Sequence, residues 1–258
     1  MKKRDDFIRH MSEGLPDRPA NIARIVAINQ GTLPLTLEAP EARPVPPAEA
    51  SRWMEEDPAI RTIDMREPAG FGEAHVPGAG NLPISSAEFE QRAGWVFDPD
   101  TPFLLLGEND RDARRASHKL AFVGLDSNVR GFIPGGMPAW RDAGLPSASL
   151  DQISVEGLHE HLRGDAGNGW NIVDVREDEE WTEGHIEGAH HMNFKKMGKA
   201  DLDLPFPRGE TLAVICGGGI RSSTGASLLQ GHGYSGVINV VGGMSAWRAA
   251  DYEVATEN

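Results

Sequence analysis

The chain has 258 residues, of which 39% are hydrophobic, and this is enough apolar sequence for one large or two ordinary domain cores. The formal net charge of −14 disfavours a polyanionic partner such as nucleic acid. No stretch approaches the roughly 18 consecutive apolar residues of a membrane span, so we expect no membrane association. A single cysteine and the absence of an apolar segment after Met1–Arg4 predict a reducing, cytoplasmic setting.

Residues 1–45 precede two similar segments and match neither of them. They contain the short segments Phe7–His10 and Ile25–Gln30, and they run into a proline-rich stretch that reaches Pro47. We therefore treat residues 1–45 as an N-terminal extension.

An internal duplication organises the rest of the chain. Three residues of the first copy recur 110 positions later: Asp64, Arg66 and His75 correspond to Asp174, Arg176 and His185. The run Gly135–Trp140 is repeated, with one substitution for serine, as Gly242–Trp247. Copies of this length are separate domains, because solenoid repeats are much shorter. We predict domains at residues 46–145 and 153–258.

Each copy alternates short apolar runs with segments of helical composition. In the second copy a helix is predicted over 155–162, and strands are predicted at 171–175, 212–215 and 237–241. Continuous apolar strands between helices are typical of a buried parallel sheet. The sequence therefore predicts an α/β fold with two domains, each a mainly parallel sheet flanked by helices. Ligands of such sheets bind beyond the carboxyl ends of the strands.

The only cysteine of the chain stands at such a strand end. Cys216 follows the apolar run 212–215 and is followed by three glycines, then by Arg221 and a segment of helical composition. The glycines let backbone amides turn towards the sulfur. Those amides, the positive end of the helix and Arg221 all favour a thiolate. A lone cysteine is more often a small buried apolar residue, but these neighbours indicate a reactive thiol.

The run Cys216–Ser222 resembles the active-site loop of the rhodanese family of sulfurtransferases. Three further motifs of that family surround it in the expected order: Val173–Glu177, Gly184–Ala189 and Gly242–Trp247. The resemblance covers roughly residues 153–250. With the duplication, it implies two tandem rhodanese-like domains.

The resemblance also implies a chemistry for the second domain. Cys216 would carry a persulfide and Arg221 would assist it, while backbone amides hold the terminal sulfur: those of Gly217, Gly218, Gly219, Ile220 and Ser222. Neither a metal nor an organic cofactor is expected. Asp174, Arg176 and His185 are expected to be structural residues near the site.

The loop length bears on the class of reaction. Six residues run from Cys216 to Arg221, whereas related phosphatases carry the longer pattern Cys-x5-Arg. A tetrahedral phosphate needs a wider ring of amides than a single sulfur atom, so the shorter loop favours sulfur transfer. The alternatives are a phosphatase and a persulfide carrier or binding module that relays sulfur for a partner.

The first copy lacks the nucleophile. Alignment of the strands puts Gly107 at the position of Cys216 and Asp112 near that of Arg221. We expect the first domain to be catalytically inactive and to serve structure, docking or regulation. Arg111, Arg114 and Arg115 are interpreted as a solvated helix face.

Three features bear on the sulfur donor. Glu180 stands where animal thiosulfate and mercaptopyruvate sulfurtransferases carry a substrate-binding arginine, which disfavours those two donors. Lys195, Lys196 and Lys199 form a candidate basic rim for an anionic donor such as a glutathione persulfide. Residues 1–45 resemble the segment that joins persulfide dioxygenases of the metallo-β-lactamase fold to rhodaneses, so such a dioxygenase is a candidate partner.

Overall fold

The computed structural model describes residues 18–34, 36, 41–164, 169–198, 202 and 204–256. Helices α1 (Ile22–Asn29) and α2 (Pro47–Glu56) precede the first sheet. The first domain continues with β1 (Arg61–Asp64), α3 (Pro68–Glu73), β2 (Gly80–Asn81), α4 (Phe89–Val96), β3 (Phe103–Leu106), α5 (Asp110–Ala121), a 3-10 turn (Asp126–Asn128), β4 (Val129–Phe132) and α6 (Gly136–Asp142).

The second domain follows a similar order of elements and has one additional strand at its start. It comprises β5 (Asp151–Ser154), α7 (Val155–Arg163), β6 (Trp170–Asp174), α8 (Asp178–Thr182), β7 (His190–His191), a 3-10 turn (Phe194–Lys196), β8 (Thr211–Ile215), α9 (Ile220–Gly231), β9 (Gly236–Val241) and α10 (Gly243–Ala249). No helix in the described ranges is long and apolar enough to span a bilayer.

Both sheets are parallel throughout. The strand order is β2-β1-β3-β4 in the first domain and β5-β9-β8-β6-β7 in the second. The predicted α/β class, with two parallel sheets flanked by helices, is confirmed. All four residues of β3 are buried, as are the last four of β8, because helices cover both faces of each sheet.

A buried Asp–Arg ion pair lies at the end of β1 in the first domain and at the end of β6 in the second. Arg176 Nε lies 2.9 Å from Asp174 Oδ1, and Arg176 Nη2 lies 2.6 Å from Asp174 Oδ2. The same guanidinium donates to the carbonyls of Glu180 and Gly184, at 2.9 Å each. The pair therefore fastens the end of β6 to α8 and the turn behind it. Arg66 makes the corresponding bonds to Asp64 and to a carbonyl eight residues later.

The histidine of each motif fixes the same turn. His185 Nδ1 lies 3.1 Å from the carbonyl oxygen of Trp181, and the two rings stack with centroids 3.5 Å apart. His75 and Phe71 make the corresponding contacts, with ring centroids 3.8 Å apart. These contacts set the path of the chain beside each sheet's carboxyl end.

The two domains share one hydrophobic core. Val173, Leu212 and Val214 of the second sheet belong to the same buried apolar cluster as Leu104 of the first. A separate cluster, which includes Val155 and Trp247, covers the other face of the second sheet. The second domain therefore rests on the first through one face of its sheet and its helices.

Candidate active site

Cys216 lies just beyond the carboxyl end of β8, the middle strand of the five-stranded sheet. Its side chain is buried, with 1% of the residue exposed. The Gly219 N–H donates to Cys216 Sγ at 3.1 Å, and the thiol donates to Ser222 Oγ at 3.3 Å. The sulfur thus faces the first turn of α9, where the helix dipole stabilises negative charge.

The carbonyl groups of the loop are held by the next helix. The Met244 N–H donates to the Cys216 carbonyl at 2.7 Å, and the Ser245 N–H donates to the Gly217 carbonyl at 2.9 Å. Gly243 has a φ of 56°, and a Cβ added there would collide with the carbonyl of Cys216. The glycines of the repeated Gly-Gly-Met motif therefore let the start of α10 lie close to the loop. Two hydrogen bonds from α10 then orient the loop.

Arg221 forms a two-pronged ion pair with Glu180. Nη1 lies 2.5 Å from Oε2 and Nη2 lies 2.7 Å from Oε1. Hydrogen bonds from Arg221 lower the pKa of Glu180, and the same pairing raises the pKa of Arg221. The guanidinium also lies against Gly217, since a Cβ added there would be 3.0 Å from Nη2. Arg221 therefore joins the loop to α8, with its charge matched by a carboxylate.

The remaining loop residues leave one side of the loop open. Gly218 is exposed, and a Cβ added to it would meet no atom within 4 Å. Gly217 and Ile220 are half-buried on either side of it. Space for an incoming molecule therefore lies over the loop at Gly218.

The two described lysines of the predicted rim differ in their contacts. Lys195 Nζ lies 2.8 Å from Glu177 Oε2 and 4.8 Å from the ring centroid of Trp95 in the first domain. Lys196 lines a groove at the domain boundary together with Arg18 and Trp95. Lys199 lies outside the described residues. A role of Lys195 and Lys196 in binding a donor stays a prediction.

The structure gathers some of the predicted site residues around the sulfur and sets others behind it. Gly219 and Ser222 touch Sγ, and Arg221 braces the loop, whereas Asp174, Arg176 and His185 are buried in the supporting framework. Sequence reasoning read Glu180 as a donor determinant and missed it as the partner of Arg221. The available signal was a carboxylate in the first turn of a helix that follows the Asp-x-Arg motif.

The structure is thus an α/β protein with a buried cysteine in the loop between the central parallel strand and a helix. The chain belongs to the rhodanese family: the model of the rhodanese-like domain matches residues 46–143 and 154–250.

Curated relatives match one domain's length of this chain. The thiosulfate sulfurtransferase GlpE of Shewanella oneidensis is 37% identical over 84 residues, which are 31% of this chain and 77% of GlpE. YrkF of Bacillus subtilis, named as a candidate sulfur carrier protein, is 34% identical over 101 residues. The match spans 39% of this chain and about half, 52%, of YrkF.

A solved rhodanese-like domain protein from Staphylococcus aureus is 29% identical, with a TM-score of 0.38, over 42% of this chain and 100% of that chain. The likeness of residues 1–45 to a dioxygenase-joining segment stays a prediction. Of that segment, Phe7–His10 lies outside the described residues, whereas Ile25–Gln30 falls largely in α1.

The first domain fills its own loop with a carboxylate. Asp112 Oδ2 accepts from the N–H groups of Glu108 and Asn109, at 3.1 and 3.3 Å. A Cβ added to Gly107 would lie 2.7 Å from Asp112 Cβ, closer than two carbon atoms tolerate. The Asp112 carboxylate therefore already accepts the hydrogen bonds of two loop N–H groups that a bound sulfur anion would need.

We predict that Gly107→Cys, made in a Cys216→Ser background, takes up no sulfur. The new side chain would collide with Asp112, and the carboxylate would repel a persulfide anion. Intact-mass spectrometry after exposure to a thiol persulfide is the measurement, with the wild-type chain as the positive control. A stable gain of one sulfur atom at position 107 would contradict this account of the inactive loop.

Proposed function

We propose that this chain is a sulfurtransferase whose second domain carries sulfane sulfur as a persulfide on Cys216. The observation that supports it most is the arrangement at Sγ, where the Gly219 amide and the Ser222 hydroxyl lie at 3.1 and 3.3 Å. Membership in the rhodanese family and the similarity to GlpE support sulfur transfer at a general level.

The first half-reaction transfers one sulfur atom to the protein. The Cys216 thiolate attacks the outer sulfur of a donor R–S–S⁻, the donor S–S bond breaks, and the thiolate RS⁻ leaves with the bonding electron pair. With thiosulfate the leaving group is sulfite. Net charge is conserved in both cases, and no external oxidant or reductant is required.

The second half-reaction restores the thiolate. A nucleophilic acceptor such as cyanide, sulfite or a thiol attacks the terminal sulfur, and the bonding pair returns to Cys216 Sγ. Between the two steps the terminal sulfur carries the charge. Loop amides and the N-terminal end of α9 stabilise that anion, because they are fixed in place before it forms.

A persulfide carrier is the second candidate function. It is favoured by the similarity to YrkF. In that case a partner, such as a persulfide dioxygenase, would deliver or collect the sulfur. A carrier would load with sulfur but turn over slowly with cyanide or sulfite.

Cys216→Ser is expected to abolish both loading and turnover. A serine hydroxyl stays protonated at neutral pH and is a far weaker nucleophile towards sulfur. The test exposes wild type and variant to thiosulfate and to glutathione persulfide, then compares intact masses and peptide maps under non-reducing conditions. Wild type should gain one sulfur atom on Cys216.

Sulfur transfer by the serine variant, or a wild-type chain that accepts sulfur from neither donor, would refute the proposed function. Turnover with cyanide or sulfite then separates the enzyme from the carrier. Uptake of phosphate from an aryl phosphate, with no uptake of sulfur, would indicate the phosphatase instead.

The pairing of Arg221 supports a thiol persulfide as the preferred donor. Both terminal nitrogens of the guanidinium are engaged by Glu180, so the cation nearest the loop is already neutralised. A compact dianion such as thiosulfate gains most from a free cation and suffers most from a neighbouring carboxylate. A larger donor that carries less charge at the reacting sulfur is less affected by the neutralised cation and by the carboxylate.

We therefore expect kcat/KM for glutathione persulfide to exceed that for thiosulfate by about tenfold or more. Glu180→Gln removes the carboxylate charge and should raise kcat/KM for thiosulfate by about tenfold, with little change for the persulfide. Steady-state kinetics with both donors at two ionic strengths is the measurement.

Each charge variant has a matched control at an exposed residue. Glu179→Gln makes the same change as Glu180→Gln at an exposed neighbour in α8, and it should change kcat/KM for neither donor. Lys196→Glu should raise KM for glutathione persulfide in a salt-dependent manner, whereas the same reversal at exposed Arg163 should not. A preference for thiosulfate in the wild type, unaffected by Glu180→Gln, would refute the donor assignment and leave the Cys216 chemistry in place.

A further inference from the structure

Helix α9, which begins at the reactive loop, has almost no face open to solvent. Every residue from Ser222 to Ser227 is buried. An α-helix turns once in about 3.6 residues, so six consecutive buried residues enclose it on all sides. One side packs against β8 and β9 of its own sheet, and another contacts β2, the edge strand of the first domain's sheet.

Asn81 of β2 makes the polar part of this contact. Its backbone N–H donates to Ser227 Oγ at 2.9 Å, and its carbonyl accepts from Thr224 Oγ1 at 2.8 Å. Its side-chain Oδ1 accepts from Ser223 Oγ at 2.6 Å. Hydroxyl groups of the catalytic domain thus satisfy the edge strand of the inactive domain.

The Asn81 side chain is also anchored within its own domain. Nδ2 donates to the carbonyls of Asp64 and Arg66, at 3.1 and 2.9 Å. Asn81 and Ser223 are fully buried. A buried amide with all of its hydrogen bonds made has one orientation, so it transmits the position of the first sheet to α9.

Among the described residues, the corresponding helix of the first domain, α5, makes its main contacts with elements of its own domain. In the alignment that pairs Gly107 with Cys216, the residues at the positions of Ser223, Thr224 and Ser227 are Arg114, Arg115 and His118, all exposed. Small hydroxyl side chains therefore occur where the helix meets another domain, and long charged ones occur where it meets water. The hydroxyl cluster is specific to the interface.

We propose that Asn81 is a positioning residue for the sulfur site, and that the inactive domain fixes the catalytic helix through it. The route is short: Asn81 binds Ser223, and the adjacent Ser222 lies within hydrogen-bond distance of Cys216 Sγ. Holding the first turn of α9 keeps the Gly219 N–H and the Ser222 hydroxyl aligned on the sulfur. This inference rests on the proposed use of Cys216 in sulfur transfer.

The test uses two variants of the full-length chain, each with a matched control. Asn81→Ala is paired with Asn128→Ala, a buried asparagine of the same domain that donates to the carbonyls of Pro99 and Thr101 and makes no hydrogen bond to α9 among the described residues. Ser223→Ala is paired with Ser117→Ala, a buried serine of α5 that donates to a carbonyl in its own helix. Ser223→Ala does not change the sequence of the first domain, so it provides an independent test if Asn81→Ala fails to fold.

Asn81→Ala and Ser223→Ala should slow single-turnover loading of Cys216 at saturating donor by about 10- to 100-fold, the scale of a small misplacement of reacting groups. The donor KM should change by less than about twofold, because the donor is not touched. The double variant should be no slower than the slower single variant, since both changes break one link. The controls should lower thermal stability and leave loading at the wild-type rate.

A second readout does not depend on sulfur transfer. Alkylation of Cys216 by iodoacetamide at neutral pH reports the thiolate, and Asn81→Ala and Ser223→Ala should slow it while the controls do not. If wild type accepts no sulfur but alkylation slows in this pattern, the positioning inference stands and the proposed function fails. If wild type loads sulfur and both variants load and alkylate as fast as it does, or faster, the positioning inference is overturned.

Discussion

The site depends on the direction of two peptide groups. The N–H and C=O of a planar trans peptide point in opposite directions. The carbonyls of Cys216 and Gly217 are bound by the N-terminal amides of α10, at 2.7 and 2.9 Å, so the N–H groups of Gly217 and Gly218 must face the other way. The orientation of the loop is thus imposed from outside it. Only a glycine at position 243 allows the helix to come close enough.

The same framework occurs in both domains, although the first has no cysteine. Both retain the buried Asp–Arg pair, the stacked histidine and the close glycine, because these groups hold the sheet to its helices. The first domain has Gly107 for Cys216, and Asp112 occupies its loop amides. It retains a use in the proposed account, since its edge strand covers the helix that carries the site.

The strands and the position of the cysteine could be predicted from the sequence, because they depend on residues that are neighbours in the chain. The strands at 103–106 and 212–215 follow from unbroken apolar runs, and the cysteine at a strand end follows from the glycines after it. The contacts between Arg221 and Glu180, or between Asn81 and Ser223, join residues 41 and 142 positions apart. Neither leaves a periodic pattern in the chain, because such pairs are brought together only by the packing of sheets and helices.

Gly243→Ala tests most directly whether the imposed loop orientation enables Cys216 to accept sulfur. The matched variant is Gly136→Ala, which has a φ of 57° against 56° and would collide with the Gly107 carbonyl in the same way. Both should lose stability by about 1–2 kcal/mol or more. Single-turnover sulfur loading should fall on the order of 10²–10³-fold in Gly243→Ala and stay at the wild-type rate in Gly136→Ala. Equal loading rates in the two variants would contradict the account.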